Sequence, residues 1–552
     1  MTASRPARAL PLLLLSAALF TLAQPPFPTG FLGLVAFVPF LMALEVPGLR
    51  RVWLLGLAWS FTLNVTGLYW ITFGHLEAGI GSVVYLTLFD AIFFRLAMAL
   101  PARRRVLLFP FLWTAFIFVK SIGEMGFPWL TLGLTQTWSP APLQIASLTG
   151  AWGIELWVAG VNSMLFMGIK RTAQASHEER RGRVIRALAP AVTLALLVPL
   201  YGRIVLWSGG AGASADLSAL PAALTAVPAG AEDAGSPPAA PRWVPAGTEP
   251  VRVALIQGSL RPDVKLAPQL LTHNLYVYDR LTRAAWFNAR GRLDLVVWPE
   301  TAIPAYLNTN RYSRRRVLAL HRELAVPLLT GAFSSVYDEG ELDYYNSAFL
   351  VAGGTITRGA ELYHKRILVP FGERVPYQQV LGFMADWSLG WSDFSKGTEP
   401  VLLGGGERAP ELPPIGVLIC YESFFSRLAR SEVVNGAHLL SVITNDAWFG
   451  RTSGPYQHLR VAALRAVEFR RPVMRAANSG VSALVDRWGQ IHFPTALYTK
   501  TAVLARVWPE DGLTFYARTG DWLPIGALLF TVFGMFIFRE PGRRRGVKRV
   551  VG

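Results

Sequence analysis

A chain of 552 residues with a single cysteine, Cys420, and only eight histidines has little material for cross-links or metal centres. One cysteine excludes an intramolecular disulfide and any zinc site built from thiolates. The histidines are scattered, with no HExxH and no paired spacing, so no metal site is expected. Charge is also scarce. Charged residues make up 16% of the chain against 52% hydrophobic, too apolar for an ordinary soluble protein. Acidic residues are the scarcer sign, 36 against 53 basic, for a formal charge of +17.

What is abundant is apolar sequence. Runs occur at about 9–23, 30–46, 52–73, 79–100, 106–121, 142–169, 187–207 and 522–538. A bilayer core takes about 20 residues of helix to cross, slightly fewer with anchoring flanks, so about eight spans are expected. The basic residues alternate between them. Arg5 and Arg8 precede the first run, Arg50 and Arg51 follow the second, and Arg103 to Arg105 follow the fourth. Lys170, Arg171, Arg180, Arg181, Arg183 and Arg186 lie between the sixth and seventh, and Arg539, Arg543 to Arg545, Lys548 and Arg549 follow the last. The intervening loops, such as QPPFPTG and GHLEAG, carry almost none. The positive-inside rule then puts both termini in the cytoplasm and residues from about 208 to 520 outside. The basic surplus is topological, and nucleic-acid binding is not expected. The first run, with its basic start and small residues near Ala23, also has the features of a cleaved signal peptide. We read it as retained, because further spans follow.

Residues 1–207 thus form a seven-span bundle. Residues 208–248, rich in Ala, Gly, Pro and Ser, cannot bury a core and read as a disordered linker. From 249 to 510 the pattern changes to short branched-residue runs: VRVALIQG, DLVVWPE, PLLTGAF, NSAFLVAG, IGVLICYE, HLLSVITND, PVMRAANSGVSALVD and TAVLARVW. Helical patterns at about 265–289, 311–324 and 454–470 separate several of them, which predicts a layered α/β domain. Residues 511–552 hold an eighth span and a basic tail.

Such folds place their sites at strand ends, and three ends carry reactive types. WPET puts Glu300 at one, ELYHKRILVPFGERVPY puts Lys365 in a loop with Glu373 eight residues on, and ICYES puts Cys420 at a strand-to-helix corner. A helix N-terminus there would favour a thiolate. A thiol needs a base, which a carboxylate can supply, and an acyl-transfer oxyanion needs a donor, which a lysine can supply. Each residue alone has a plainer reading: a surface carboxylate, a solvated charge, a core cysteine.

WPE, YHK with LVPFGE, and CYE, in that order, resemble the Glu–Lys–Cys signatures of the nitrilase (carbon–nitrogen hydrolase) superfamily. With seven spans before and one after, and with LVPFGERVP, TNDAWFG and GPYQHLRVAALRAVEFRRPVMRAANSGVSALVD, the chain resembles the apolipoprotein N-acyltransferases over nearly its whole length except the linker. The resemblance implies an αββα sandwich and transfer of an acyl chain from a membrane phospholipid to the N-terminal cysteine of a lipoprotein, with no cofactor. It implies Glu300 as general base, Lys365 as oxyanion stabiliser and Cys420 as nucleophile, with Glu373, Tyr421 and Glu422 in support. The chain departs from the family at Lys265-Leu266, where a tryptophan often follows the lysine.

Two other classes remain open: a membrane-tethered amidohydrolase with water as second acceptor, and a non-enzymatic polytopic carrier. The carrier reading rests on charges within the runs, Asp90, Arg95 and Glu155, which are costly in lipid. For these the plainer expectation is that Arg95 snorkels and Asp90 faces neighbouring helices. No obligate partner is indicated, and a monomer is expected. LGFMADWSLGWSDFSKG, residues 381–397, fits neither a helix face nor a strand. We read it as a lipid-access arm carrying Phe383, Met384, Trp387 and Trp391, with core packing as its alternative.

Overall fold

The computed structural model describes residues 5–47, 52–74, 76–102, 104–173, 180–209, 248–338, 340–382 and 393–537. Residues 210–247 of the expected linker at 208–248, and the basic tail from 538, lie outside them.

The amino-terminal part is helical: α1 (Arg5–Leu22), α2 (Val38–Leu44), α3 (Val52–Leu68), α4 (Leu76–Ala99), α5 (Arg105–Lys120), α6 (Trp152–Ala173) and α7 (Arg180–Ser208). Among the described residues, four helical stretches are long and apolar enough to cross a membrane: Val52–Phe73, Gly79–Ala99, Trp152–Ala173 and Val184–Ser208. Arg8–Leu22, Gly30–Leu44 and Trp522–Ile537 are shorter apolar helices, and α5 has 16 residues with Pro110 inside it. Two expected runs are not single helices. The run at 30–46 is a 3-10 turn, Gly30–Leu34, followed by the seven-residue α2. Asn162 of α6 holds this break together, accepting from the Phe37 N–H at 2.7 Å and donating to the Gly33 carbonyl at 2.9 Å. The run at 142–169 is interrupted by Gly150, whose φ of +65° a side-chain-bearing residue adopts reluctantly. Its helix therefore begins at Trp152, after two four-residue turns.

Aromatic rings fill the bundle interior. Phe37 meets Trp113 at 4.7 Å and Phe109 at 5.3 Å, and Phe40 meets Trp59 at 4.9 Å. The charges within the helices are paired or exposed. Asp90 accepts from Lys120 at 2.7 and 3.0 Å and from Asn64 at 2.9 Å, all three buried. Glu155 accepts from the Leu132 and Gly133 N–H groups and from Trp113 Nε1, at 3.0, 2.5 and 2.8 Å. Arg95 is exposed. These contacts give Asp90 and Glu155 a structural part in joining helices, which removes the sequence argument for a carrier.

The second part contains β1 (Val251–Gln257), α8 (Leu271–Asn288), β2 (Leu295–Val297), α9 (Arg311–Leu324), β3 (Leu328–Asp338), β4 (Glu341–Ala352), β5 (Ile415–Ile419), α10 (Ser426–Val434), β6 (Leu439–Thr444), α11 (Gly454–Phe469), β7 (Val473–Ala477), β8 (Ala483–Val485) and β9 (Thr501–Val507). An eight-stranded sheet runs β9-β1-β2-β3-β4 with short strands at its edge. A six-stranded sheet has parallel β5, β6 and β7 at its centre. Strand alternation builds the layers. Val253, Leu255, Val297 and Leu329 of one sheet face Ile415, Val417, Ile419 and Ile443 of the other. The opposite side of the first sheet packs on α8 and α9 through Ala254, Ile256, Leu275 and Val317. The opposite side of the second, Leu418, Leu440 and Val442, packs on α10 and α11 within a core continuous with the helical bundle. The result is an αββα sandwich seated on the bundle by its α10–α11 layer, with a last apolar helix, α12 (Trp522–Ile537), beside α5.

Removing one partner of a buried ion pair leaves an uncompensated charge and costs about 3–5 kcal/mol. Lys120→Met should therefore lower the melting temperature in detergent strongly, and adding Asp90→Asn should recover most of the loss. Unchanged melting of the single variant would show that the pair contributes no stability.

Candidate active site

Glu300 follows β2 and its side chain is buried. Its approach to β3 is close: a Cβ on Gly331 would lie 2.7 Å from the Glu300 Cα, so only glycine fits there. The two carboxylate oxygens are both occupied. Oε1 accepts from Asn346 Nδ2 at 2.9 Å and lies 3.4 Å from Lys365 Nζ, while Oε2 accepts from the Asn445 N–H at 2.9 Å.

Lys365 enters from the first sheet, just after the short strand Tyr363–His364, its own N–H donating to the Asn346 carbonyl at 2.8 Å. Nζ donates to Glu373 at 2.8–2.9 Å. Glu373 is fixed in turn by Asn346 Nδ2 at 3.1 Å and by the Val369 N–H at 2.9 Å. Burial works against the charge on Lys365, but Glu373 and Glu300 outweigh it and hold its pKa above the ordinary lysine range.

Cys420 ends β5 with a φ of +55°, a left-handed conformation that costs a non-glycine residue about 1–3 kcal/mol and is commonest at functional sites. Its carbonyl receives Ser423 Oγ at 2.9 Å and lies 3.1 Å from His458 Nε2. His458 is backed by Asp446 at 2.8 Å and Asp446 by Arg475 at 2.7 Å. Burial raises the Asp446 carboxyl, yet Arg475, His458 and Thr444 bring it down to about 2. This buried chain braces the strained turn.

The expectation that a helix N-terminus favours the thiolate is not met. The residues from Cys420 to Phe424 form a 3-10 turn, and α10 begins only at Ser426. Burial pushes the Cys420 thiol well above its ordinary pKa, and the Glu300 carboxylate pushes it further, with only partial relief from Lys365. Both effects favour the protonated thiol.

Glu422 and Tyr421 have different places. The Glu422 carboxylate is fully buried and accepts four bonds: Ile419 N–H at 2.7 Å, Tyr363 Oη at 2.8 Å, and the Arg366 and Ile367 N–H groups at 2.5 and 3.1 Å. It ties the cysteine strand directly to the residues on either side of Lys365. Tyr421 turns away, donating to the Gly126 carbonyl of the bundle at 2.6 Å. Of the proposed arm, Phe383, Met384, Trp387 and Trp391 lie outside the described residues. Phe394, at its far end, is buried against Phe333 at 5.5 Å and is core packing.

Asn346 and Asn445 escaped the reading of the sequence, although both lie within runs already singled out, NSAFLVAG and HLLSVITND. Lys265 was noted only for its departure from a motif. It too lies here, with Nζ 2.6 Å from the Glu300 carbonyl oxygen.

A four-layer sandwich with a strand-end thiol, carboxylate and lysine defines a nitrilase-type carbon–nitrogen hydrolase. The Carbon-nitrogen hydrolase family profile matches residues 252–511. Among solved structures, a nitrilase-superfamily amidase from Nesterenkonia is similar at 21% identity, covering 52% of this chain and 99% of its own with a TM-score of 0.34. The helical half narrows the class, since residues 16–164 match the Apolipoprotein N-acyltransferase N-terminal domain profile. The apolipoprotein N-acyltransferase of Geobacter metallireducens is 33% identical over 92% of this chain and 91% of its own. That of Azotobacter vinelandii is 32% identical over 97% and 95%. The chain belongs to the apolipoprotein N-acyltransferase family.

Replacing Glu422 by glutamine sets an amide NH₂ against backbone N–H donors and should displace the Lys365 loop. On the expectation that Lys365 is an oxyanion donor, whose loss costs about 10²–10³ in rate, Glu422→Gln should approach that loss in single-turnover acylation. Tyr421→Phe, which frees only the bundle contact, should lose far less. Equal losses would show that Glu422 does not act through Lys365.

Proposed function

We infer that this protein transfers an acyl chain from a membrane phospholipid to the free α-amino group of an N-terminal diacylglyceryl-cysteine, through a thioester on Cys420. The observation that carries this reading is the packing of the nucleophile's own turn onto the apolar bundle. Trp129 stacks on Phe424 with centroids 3.7 Å apart, next to the Tyr421–Gly126 bond. Gln457 of α11 accepts from Trp70 and Trp129 at 3.2 and 2.7 Å and donates to the Pro25 carbonyl at 3.2 Å. A soluble amide would need no such seat, whereas a lipid donor reaches a thiol held at the bundle surface.

Two half-reactions follow from the charges. Glu300 takes the thiol proton as the sulfur attacks the ester carbonyl, and the Lys365 ammonium faces the oxyanion. The tetrahedral adduct collapses, Glu300 returns the proton to the departing lysophospholipid oxygen, and the thioester remains. The acceptor amine then attacks the thioester, Glu300 takes its proton, and collapse yields the amide and the free thiol. The basic loops between apolar runs support a cytoplasmic location for both termini and an extracytoplasmic location for the sandwich, in a bacterial cytoplasmic membrane with the protein as a monomer. The divide falls at 1–207 for the bundle, 208–248 for a linker, 249–510 for the catalytic domain and 511–552 for the last span and tail.

Purified protein in vesicles, given phospholipid and a diacylglyceryl peptide with a free amine, should release lysophospholipid and N-acylated peptide in equal amounts. Cys420→Ala should yield neither, and Lys365→Ala should slow both halves by about 10²–10³. Free fatty acid in place of acylated peptide would support the amidohydrolase reading, and full turnover by Cys420→Ala would overturn the nucleophile.

A further inference from the structure

Lys265 closes the four-residue turn Pro262–Lys265 and has no exposed surface. Nζ donates to the Glu300 main-chain carbonyl at 2.6 Å, and among the described residues that is its only hydrogen bond. An ammonium has three donors, so two remain without a protein acceptor in a buried site. The turn is rigid. The Lys265 carbonyl accepts from the buried Asn274 Nδ2 at 2.7 Å. Leu260, at the turn's approach, exchanges two bonds with Asn478 at 3.1 and 2.7 Å. Asn478 also donates to the Asn445 side chain at 2.9 Å, and Asn445 is the residue whose N–H holds Glu300 Oε2. The Glu300 strand end is thus clamped from its carbonyl and from its carboxylate by one network.

A neutral donor would satisfy a carbonyl without the cost of burying a cation. The charge itself needs a reason, and the surrounding groups supply one. Glu300 and Cys420 are the two groups whose charge acts on Lys265. Around Cys420 lie Glu300, Lys365 and Asp446, the last already paired with Arg475. Asn274, on the helix packed over the turn, is uncharged, and Asp263 on the turn itself is exposed and paired with Arg261. Glu300 and Glu373 therefore stand against Lys365 and Lys265, two charges of each sign. Moving the thiol proton to Glu300 keeps that balance. Without the Lys265 charge the same cluster carries one excess negative charge, which opposes a thiolate.

We propose that Lys265 is a positioning residue whose buried ammonium holds the Glu300 strand end and balances the charge of the Glu300–Cys420 pair so that the thiol can ionise. This rests on the reading of Cys420 as nucleophile. Burial draws the Lys265 pKa down to about 7, against the pull of Glu300 and Cys420, so the ammonium is present at acid pH, half lost near neutrality and gone at alkaline pH.

Because Cys420 is the only cysteine, its alkylation by iodoacetamide, followed by peptide mass, reports its thiolate across about pH 6–10. Lys265→Gln keeps a donor for the Glu300 carbonyl and removes the charge, and Lys265→Met removes both. Both should be alkylated about tenfold more slowly than wild type at about pH 6, where the wild-type lysine is charged, the equivalent of one pKa unit. The gap should close at alkaline pH, where the wild-type lysine has lost its own proton. A wild-type profile for Lys265→Gln would overturn the charge role and leave a hydrogen bond. A uniform loss in Lys265→Met at every pH, with a lower melting temperature, would reduce the lysine to packing and also overturn it. Glu300→Gln serves as reference: if it leaves the profile unmoved, the fault lies with Glu300 as base and not with Lys265.

Discussion

The Glu422 carboxylate is the contact on which the site depends. Its four donors come from both sides: Ile419 from the second sheet, Tyr363 from the first, and Arg366 and Ile367 from the loop that leaves the first sheet. Two sheets packed only through Val, Leu and Ile side chains can slide by fractions of an ångström, since dispersion is weakly directional. A buried carboxylate bonded on both oxygens cannot slide without leaving polar groups unpaired, at about 1–3 kcal/mol each. Cys420 arrives on one sheet, and Glu300 and Lys365 on the other. This pin and the Asn445 N–H bond to Glu300 are the polar contacts that cross between the sheets at the three residues.

The same turn joins the sandwich to the helices. Residues 420–425 carry the thiol, the inter-sheet pin and, in Tyr421 and Phe424, the seat on the bundle. Chemistry, register and attachment to the apolar half are compressed into six residues, and the left-handed backbone at Cys420 is the geometric consequence. Burial and the Glu300 carboxylate favour the protonated thiol there. With Glu300 as the proposed base, the thiolate arises together with a protonated carboxyl.

Much of this was legible in the sequence. The α/β pattern after residue 249 and the strand ends at Glu300 and Cys420 follow from period and composition, and family resemblance supplied the pairing with Lys365. The helix count was less legible, for a physical reason. Hydropathy registers the apolar character of 30–46 and 142–169 but not the Gly150 turn or the Asn162 bonds that break those runs. The helix N-terminus expected at Cys420 is not there, because a strand-to-helix corner in sequence does not reveal whether an α-turn or a 3-10 turn follows. Glu422 was linked to the site by resemblance, and its inter-sheet role needed coordinates, since its partners lie over 50 positions away in sequence. Lys265 offered only a lysine in a loop. Nothing in sequence says that such a lysine is buried.

The central claim is that Cys420 carries the acyl group between donor and acceptor. The most direct measurement is the mass of the Cys420 peptide after the purified protein meets phospholipid with no acceptor present. The account predicts an acyl adduct on that peptide, stable until an amine-bearing acceptor is added and then discharged onto it. An unmodified Cys420 under conditions where acceptor is still acylated would contradict it.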